Sequence, residues 1–195
     1  NRNFKRKLKT PYFRDDKKVI IAEGDSWFEF PLAVTDIPDW IIKLTPHPLY
    51  SIANAGDWIA NIVYEEEYIE QLSIYQPEVL LINGGGNDLI GGGSLSLLVN
   101  KPSIAETGKK YAEPDKAYIV SQNFDNGETD AEERADMIIN GTKYLGKDYF
   151  ALLKTFELMY KMIFTGIKKS GKFEDMKIIT NGYDFVIPSR NRNIF

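Results

Sequence analysis

"KVIIAEGDSWFEF", residues 18–30, is the stretch on which the reading of this chain turns. Lys18–Ala22 is short, apolar and β-branched, as a strand should be. The chain then leaves it through Gly24-Asp25-Ser26 and sets Trp27, Phe28 and Phe30 beside the serine. Three further runs share the strand character: "LYSIA" (49–53), "EVLLI" (78–82) and "KIIT" (177–180). Each is nearly continuous in apolar residues, the pattern of parallel strands covered on both faces. "IPDWIIKL" reads as a short helix between the first two runs. Trp58, Ile62, Ile69 and Leu72, with Ile59 and Val63 beside them, form one helical face between the second and third. Strand, helix, strand, helix, strand predicts a parallel α/β sheet.

Composition narrows the function classes. The 195 residues suit one domain, 43% hydrophobic and 27% charged, which is ordinary globular composition. A net charge of −4 gives no bias toward polyanions such as nucleic acid. The basic run within residues 1–16, "RNFKRKLK", reads as a solvated N-terminal arm. The absence of cysteine excludes disulfides, thiolate metal sites and a cysteine nucleophile, and leaves the compartment open. No apolar run approaches the ~18 residues of a membrane span, and no signal peptide is visible. Because the chain begins at Asn1, it reads as a processed or trimmed product, so the compartment is either the cytoplasm or the exterior after removal of a leader.

Beyond Asp88 the periodicity breaks. Residues 91–130 are rich in Gly, Pro and polar side chains and read as a long irregular excursion, so that 91–147 forms an insertion resembling a lid. Thr129 with Glu132 makes a capping box for a helix reaching about Tyr144. A second helix, about 148–169, carries Leu152, Phe156, Met159, Ile163 and Ile167 on one stripe, and Gly171 ends it. "NGYDFVIPSRNRNIF" stops without another clear element, and the sheet is expected to continue past the end of this chain.

Each of the first three strand runs ends in a small-residue and acidic step: Gly24-Asp25-Ser26, Ala55-Gly56-Asp57 and Gly84-Gly85-Gly86-Asn87-Asp88. Open α/β sheets bind ligands at the carboxyl ends of their strands, where strand order reverses. For a sheet of order 2-1-3-4, Ser26 falls near Asn87, with Gly56 alongside. Those residue types fit acyl transfer. Ser26 supplies a hydroxyl nucleophile. The tetrahedral oxyanion that follows attack needs preorganised donors, which the Ser26 and Gly56 N–H groups and the Asn87 amide provide.

"GDSWF", "NAGD" and "GGGND", in this order, resemble the first three sequence blocks of the SGNH (GDSL-type) hydrolases. The resemblance covers about residues 17–90 and extends to 177–188 as a fourth strand. It implies a flavodoxin-like three-layer α/β/α sandwich and a serine esterase, lipase or acyl-polysaccharide deacylase. On that resemblance Ser26 is the nucleophile, Ser26, Gly56 and Asn87 form the oxyanion hole, and Gly24, Asp25, Gly86 and Asp88 support them. No cofactor or metal is implied, and the substrate is a small-molecule, glycan or lipid ester. The family's Asp-x-x-His block, source of the general base, has no counterpart here. The one histidine, His47, stands just before the second strand run, at the far edge from Ser26. The base is therefore expected in sequence outside this chain or on another polypeptide, with Asp184 a weak substitute.

Three other readings compete. Asp25, Asp57 and Asp88 suit turns and helix caps without any chemistry. The same three carboxylates could gather Mg²⁺ for phosphoryl transfer. A scaffold lacking its base could retain only ligand binding. The aromatics Trp27, Phe28, Phe30 and Trp58 are expected to be core or rim packing before an acyl pocket.

Overall fold

The computed structural model describes residues 2–9, 17–30, 35–105, 115–121 and 130–182. Strands β1 (Ile20–Glu23), β2 (Leu49–Ser51), β3 (Val79–Ile82) and β4 (Lys177–Ile179) form one sheet of order β2-β1-β3-β4. Every neighbouring pair is parallel, with Ile20 level with Leu49 on one side and Val79 on the other. All four strands lie where the apolar runs predict them.

The chain runs from β1 outward to β2, then back across β1 to β3. Parallel crossovers are right-handed, so the helices of these two connections cover opposite faces. Helix α1 (Arg2–Lys9) precedes the sheet, and α2 (Ile37–Leu44) joins β1 to β2. On the α2 face Ile20, Ala22, Phe28, Leu49, Ala53 and Leu81 are buried, with Ile37, Ile41 and Ile42 packed against them. Helices α3 (Ile59–Glu65) and α4 (Glu67–Tyr75) join β2 to β3. They bury Ile59, Ile62, Tyr68 and Leu72, while Ile21, Leu80 and Ile82 of the sheet are fully buried as well. The result is a small three-layer α/β/α arrangement.

Two expectations are corrected here. The helical face between β2 and β3 is broken at Glu66, whose φ of 51° is left-handed. The break shifts the helical phase, so Tyr68 is buried in place of Ile69; Trp58 is the extended N-cap residue ahead of α3 and is 48% exposed. Neither Gly nor Pro marks that break in the sequence. The basic N-terminal run, expected as a solvated arm, forms α1 instead. Its Phe4 is buried and meets Tyr50 and Tyr75 at ring-centroid distances of 5.3 and 5.0 Å. Lys7 Nζ donates to the carbonyls of Ile42, Thr45 and His47 at 2.8, 2.7 and 3.3 Å, closing the carboxyl end of α2. Burial and the neighbouring charges of Arg6 and Lys17 lower the Lys7 pKa.

The chain divides into two compact units, Asn1–Asn87 with Met162–Phe195, and Asp88–Lys161. After α5 (Gly86–Ile90) and a 3-10 turn at Gly91–Gly93 come α6 (Ser94–Leu98), α7 (Pro102–Ala105), α8 (Lys116–Ser121), α9 (Ala131–Thr142) and α10 (Lys147–Lys169). The described part of 91–130 is thus a series of short helices, where an irregular excursion was expected. Helices of four to six residues complete too few turns to display a period. Within this unit Val99 bridges Leu145 antiparallel, and Lys116 joins Glu132 and Asp136 at 3.2 and 2.8 Å. Thr129 of the expected capping box lies outside the described residues, and Asp130 is the N-cap of α9. Helix α10 matches its predicted span, with Ile163 and Ile167 of the stripe buried, and Gly171 at φ 63° follows its end. Among the described residues no helix is long and apolar enough to cross a membrane.

Removing the Phe4 ring tests the docking of α1. Phe4→Ala is expected to lower stability by roughly 3–5 kcal/mol, the usual range for a buried aromatic. Urea unfolding reads this directly; a loss below about 1 kcal/mol would mean that α1 is a solvated arm after all.

Candidate functional site

Parallel pairing sends β1, β2 and β3 out of the sheet at the same edge, with β1 between the other two. The loops that follow them are tied pairwise. Asn54 N donates to Gly24 O at 2.9 Å, joining the β2 loop to the β1 loop. Asp25 N donates to Asn83 Oδ1 at 3.1 Å, joining the β1 loop to the end of β3. Asn87 Nδ2 donates to Asp57 O at 2.8 Å, joining the β3 loop to the β2 loop. The three polar steps singled out in the sequence are therefore one connected cluster.

Gly24 is required by space. A Cβ there would overlap the Asn83 side-chain oxygen and lie 2.9 Å from Asn83 Cγ. Directly after it the chain folds back: Asp25 O accepts from Phe28 N at 2.9 Å and Glu29 N at 3.1 Å. Asp25 Oδ1 also accepts from Trp27 N at 3.1 Å. Asp25 and Phe28 are 1% and 3% exposed, so the turn is anchored in the core at both ends. Ser26 lies between these anchors and is half-buried, while Trp27 is exposed.

Among the described residues, the N–H groups of Ser26 and Gly56 and the Ser26 hydroxyl make no hydrogen bond. Gly56 has φ +86° and open space where a Cβ would stand, so its requirement is conformational. Asn87, beside Gly86 in the first turn of α5, spends one amide N–H on Asp57 O and keeps a second. The carboxylates have local duties. Asp57 Oδ1 accepts from Trp58 N at 2.9 Å and Asn61 Nδ2 at 2.7 Å, and Asp88 lies in the first turn of α5.

Among the described residues no group of three or more His, Asp or Glu side chains is placed to hold a metal ion. His47 sits before β2, and its Nδ1 accepts from Lys18 N at 3.2 Å. Ser26 follows the carboxyl end of β1, so His47 and Ser26 lie at opposite edges of the parallel sheet. Tyr183 and Asp184 lie outside the described residues. Of the aromatics, only Phe28 is core; Trp27, Phe30 and Trp58 are 45%, 43% and 48% exposed.

Two polar residues of this edge escape a reading of the sequence by motif. Asn83 is fully buried, and among the described residues its Nδ2 has no partner. Glu23, the last residue of β1, is 4% exposed, and its Oε1 accepts from Gly24 N at 2.8 Å. Burial pushes its carboxyl from 4.5 up to about 8; the Gly24 N–H opposes this, and the charges of Asp57, Glu67 and Glu65 add to it. Tyr68 is likewise raised to about 12 by burial, with Glu66 and Glu23 contributing. The signal was available: an acid ending a strand whose other residues suit burial on both faces. The sequence matches no protein-family model, and no curated protein aligns with it significantly.

Glu23 makes a prediction about pH. The folded state holds a proton that the unfolded chain releases above its ordinary carboxyl pKa, so folding stability falls as pH rises from about 4.5 to about 8. The slope is at most ~1.4 kcal/mol per pH unit, and it flattens above that window, where both states are ionised. Glu23→Gln keeps an acceptor for Gly24 N and removes the ionisation. Urea midpoints between pH 5 and 8 are expected to fall for the parent and stay flatter for the variant. Parallel profiles would show that Glu23 ionises normally.

Proposed function

We propose that this chain carries the acylation site of an SGNH-type serine ester hydrolase on a flavodoxin-like sheet. The strand order β2-β1-β3-β4 agrees with the first part of the flavodoxin-like order. The supporting observation is the cluster at its carboxyl edge: unpaired N–H groups on Ser26 and Gly56, with Asn87 oriented by the carbonyl of Asp57. In this reading the Ser26 oxygen attacks the ester carbonyl carbon and its proton passes to a base. The resulting oxyanion accepts hydrogen bonds from the Ser26 and Gly56 N–H groups and the second amide N–H of Asn87. Collapse breaks the acyl–oxygen bond; the alcohol leaves with that proton, and water then releases the acid from Ser26.

Among the described residues no histidine stands at this edge to serve as the base. The chain's single histidine, His47, is bonded at the opposite edge of the sheet. That observation favours one second reading, a module of the same scaffold that binds an ester without cleaving it.

Imidazole in solution can stand in for the base. Without it, the chain is expected to hydrolyse p-nitrophenyl acetate slowly. With it, release of p-nitrophenol is expected to be faster for the parent than for Ser26→Ala at the same imidazole concentration. Asn87→Ala should reduce the Ser26-dependent part by ~10²-fold, the usual effect of losing one oxyanion donor. Equal rates for parent and Ser26→Ala would remove Ser26 as the nucleophile and leave the binding module.

A further inference from the structure

Ser26 lines one end of an open groove of about 500 Å³ whose other described lining residues are Trp27, Phe30, Ile37 and Trp40, with Thr35 and Asp36 as further polar members. Trp27, Phe30 and Trp40 are 45%, 43% and 53% exposed. Single exposed apolar residues are common on protein surfaces, but three large aromatics sharing one concavity are the composition of a ligand cleft. Core packing does not account for them, because Phe28 alone fills the core position of this stretch.

Apart from Ser26 at its end, the polar side chains of the described lining are already engaged by the protein itself. Asp36 Oδ1 accepts from Asp39 N at 2.9 Å, capping α2, and its Oδ2 accepts from Phe30 N at 3.3 Å. Thr35 Oγ1 accepts from Lys43 Nζ at 3.1 Å. A sugar ring would need several side chains to satisfy its hydroxyls, and buried polar groups left unmatched are costly. An alkyl chain needs none. The Asp36 carboxylate in the lining is offset by the Lys43 ammonium, which sits on Thr35 Oγ1 and 5.3 Å from the centre of the Trp40 ring, so a neutral ligand suits the groove better than one of either charge. The volume falls within the ~300–1,000 Å³ of ligand clefts and leaves room for a medium-length alkyl chain.

We infer that this groove binds the alkyl chain of a neutral medium-chain acyl ester, with the ester carbonyl at Ser26 and the chain against Trp27, Phe30 and Trp40. The inference rests on the ester hydrolase reading for the direction of the chain. Occupancy of the groove is independent of that chemistry, and the test separates the two.

Methyl 8-bromooctanoate is the probe, because bromine quenches indole fluorescence on contact. The measurement is made in a Trp58→Phe background, where Trp27 and Trp40 are the remaining tryptophans, with and without Ser26→Ala. Saturable quenching is expected in both proteins, weakened roughly tenfold by Phe30→Ala, with Ile37→Val as a milder second variant that shifts affinity in the same direction. With imidazole present, the Ser26-dependent rate is expected to favour p-nitrophenyl octanoate over the acetate, and Trp40→Ala should abolish that preference. Unsaturable quenching, or quenching indifferent to Phe30→Ala and Ile37→Val, would overturn the groove assignment. Saturable quenching with no Ser26-dependent hydrolysis would retain the groove and defeat the hydrolase reading.

Discussion

The fit between Gly24 and Asn83 is the constraint on which the candidate site depends. The Asn83 amide occupies the volume where a side chain at position 24 would begin, and its oxygen accepts the N–H of Asp25. Together with the Asn83 N–H donated to Glu23 O at 3.1 Å, this contact holds the end of β1 against the end of β3. From there Asp25 and Phe28 anchor a turn in the core, and Ser26 is left between them at the surface. A turn held at both ends by buried residues loses little further freedom on binding a substrate, which is what preorganisation requires. Asn83 Nδ2, without a partner among the described residues, is a cost of order 1–3 kcal/mol carried at this same point.

The other two loops converge through the same logic. Parallel strands deliver their carboxyl ends to one edge, and the order β2-β1-β3-β4 puts the serine loop between its neighbours. Each pair of loops is then tied by a hydrogen bond. Glu23 ends β1 directly before this cluster, and burial raises its carboxyl from 4.5 to about 8. In its protonated form it accepts from Gly24 N without placing a full negative charge beside a region where an oxyanion would develop.

Much of this was legible in the sequence, and the gaps have physical causes. Strands β1 to β4 announce themselves because apolar, β-branched runs buried on both faces contain little else. Ser26, Gly56 and Asn87 could be placed on one edge because the alternation of strand and helix dictates a parallel sheet. The break at Glu66 was hidden, since a left-handed non-glycine residue has no compositional mark. The docking of α1 was hidden as well: a run dominated by Lys and Arg suggests solvent, and one buried ring, Phe4, reverses that. The short helices α6, α7 and α8 carry too few turns for a period to show. The aromatics beside Ser26 were divided by structure alone, Phe28 to the core and Trp27 and Phe30 to the groove, because adjacent positions in a tight turn face different ways.

The central claim is that Ser26, Gly56 and Asn87 act on one reacting carbonyl. A crystal structure of the chain treated with diethyl p-nitrophenyl phosphate in imidazole buffer tests it most directly. The account predicts a single diethylphosphoryl group on Ser26 Oγ, its phosphoryl oxygen within ~3 Å of the Ser26 and Gly56 nitrogens and Asn87 Nδ2. A phosphoryl group on another residue, or one on Ser26 whose oxygen meets neither Gly56 nor Asn87, would contradict it.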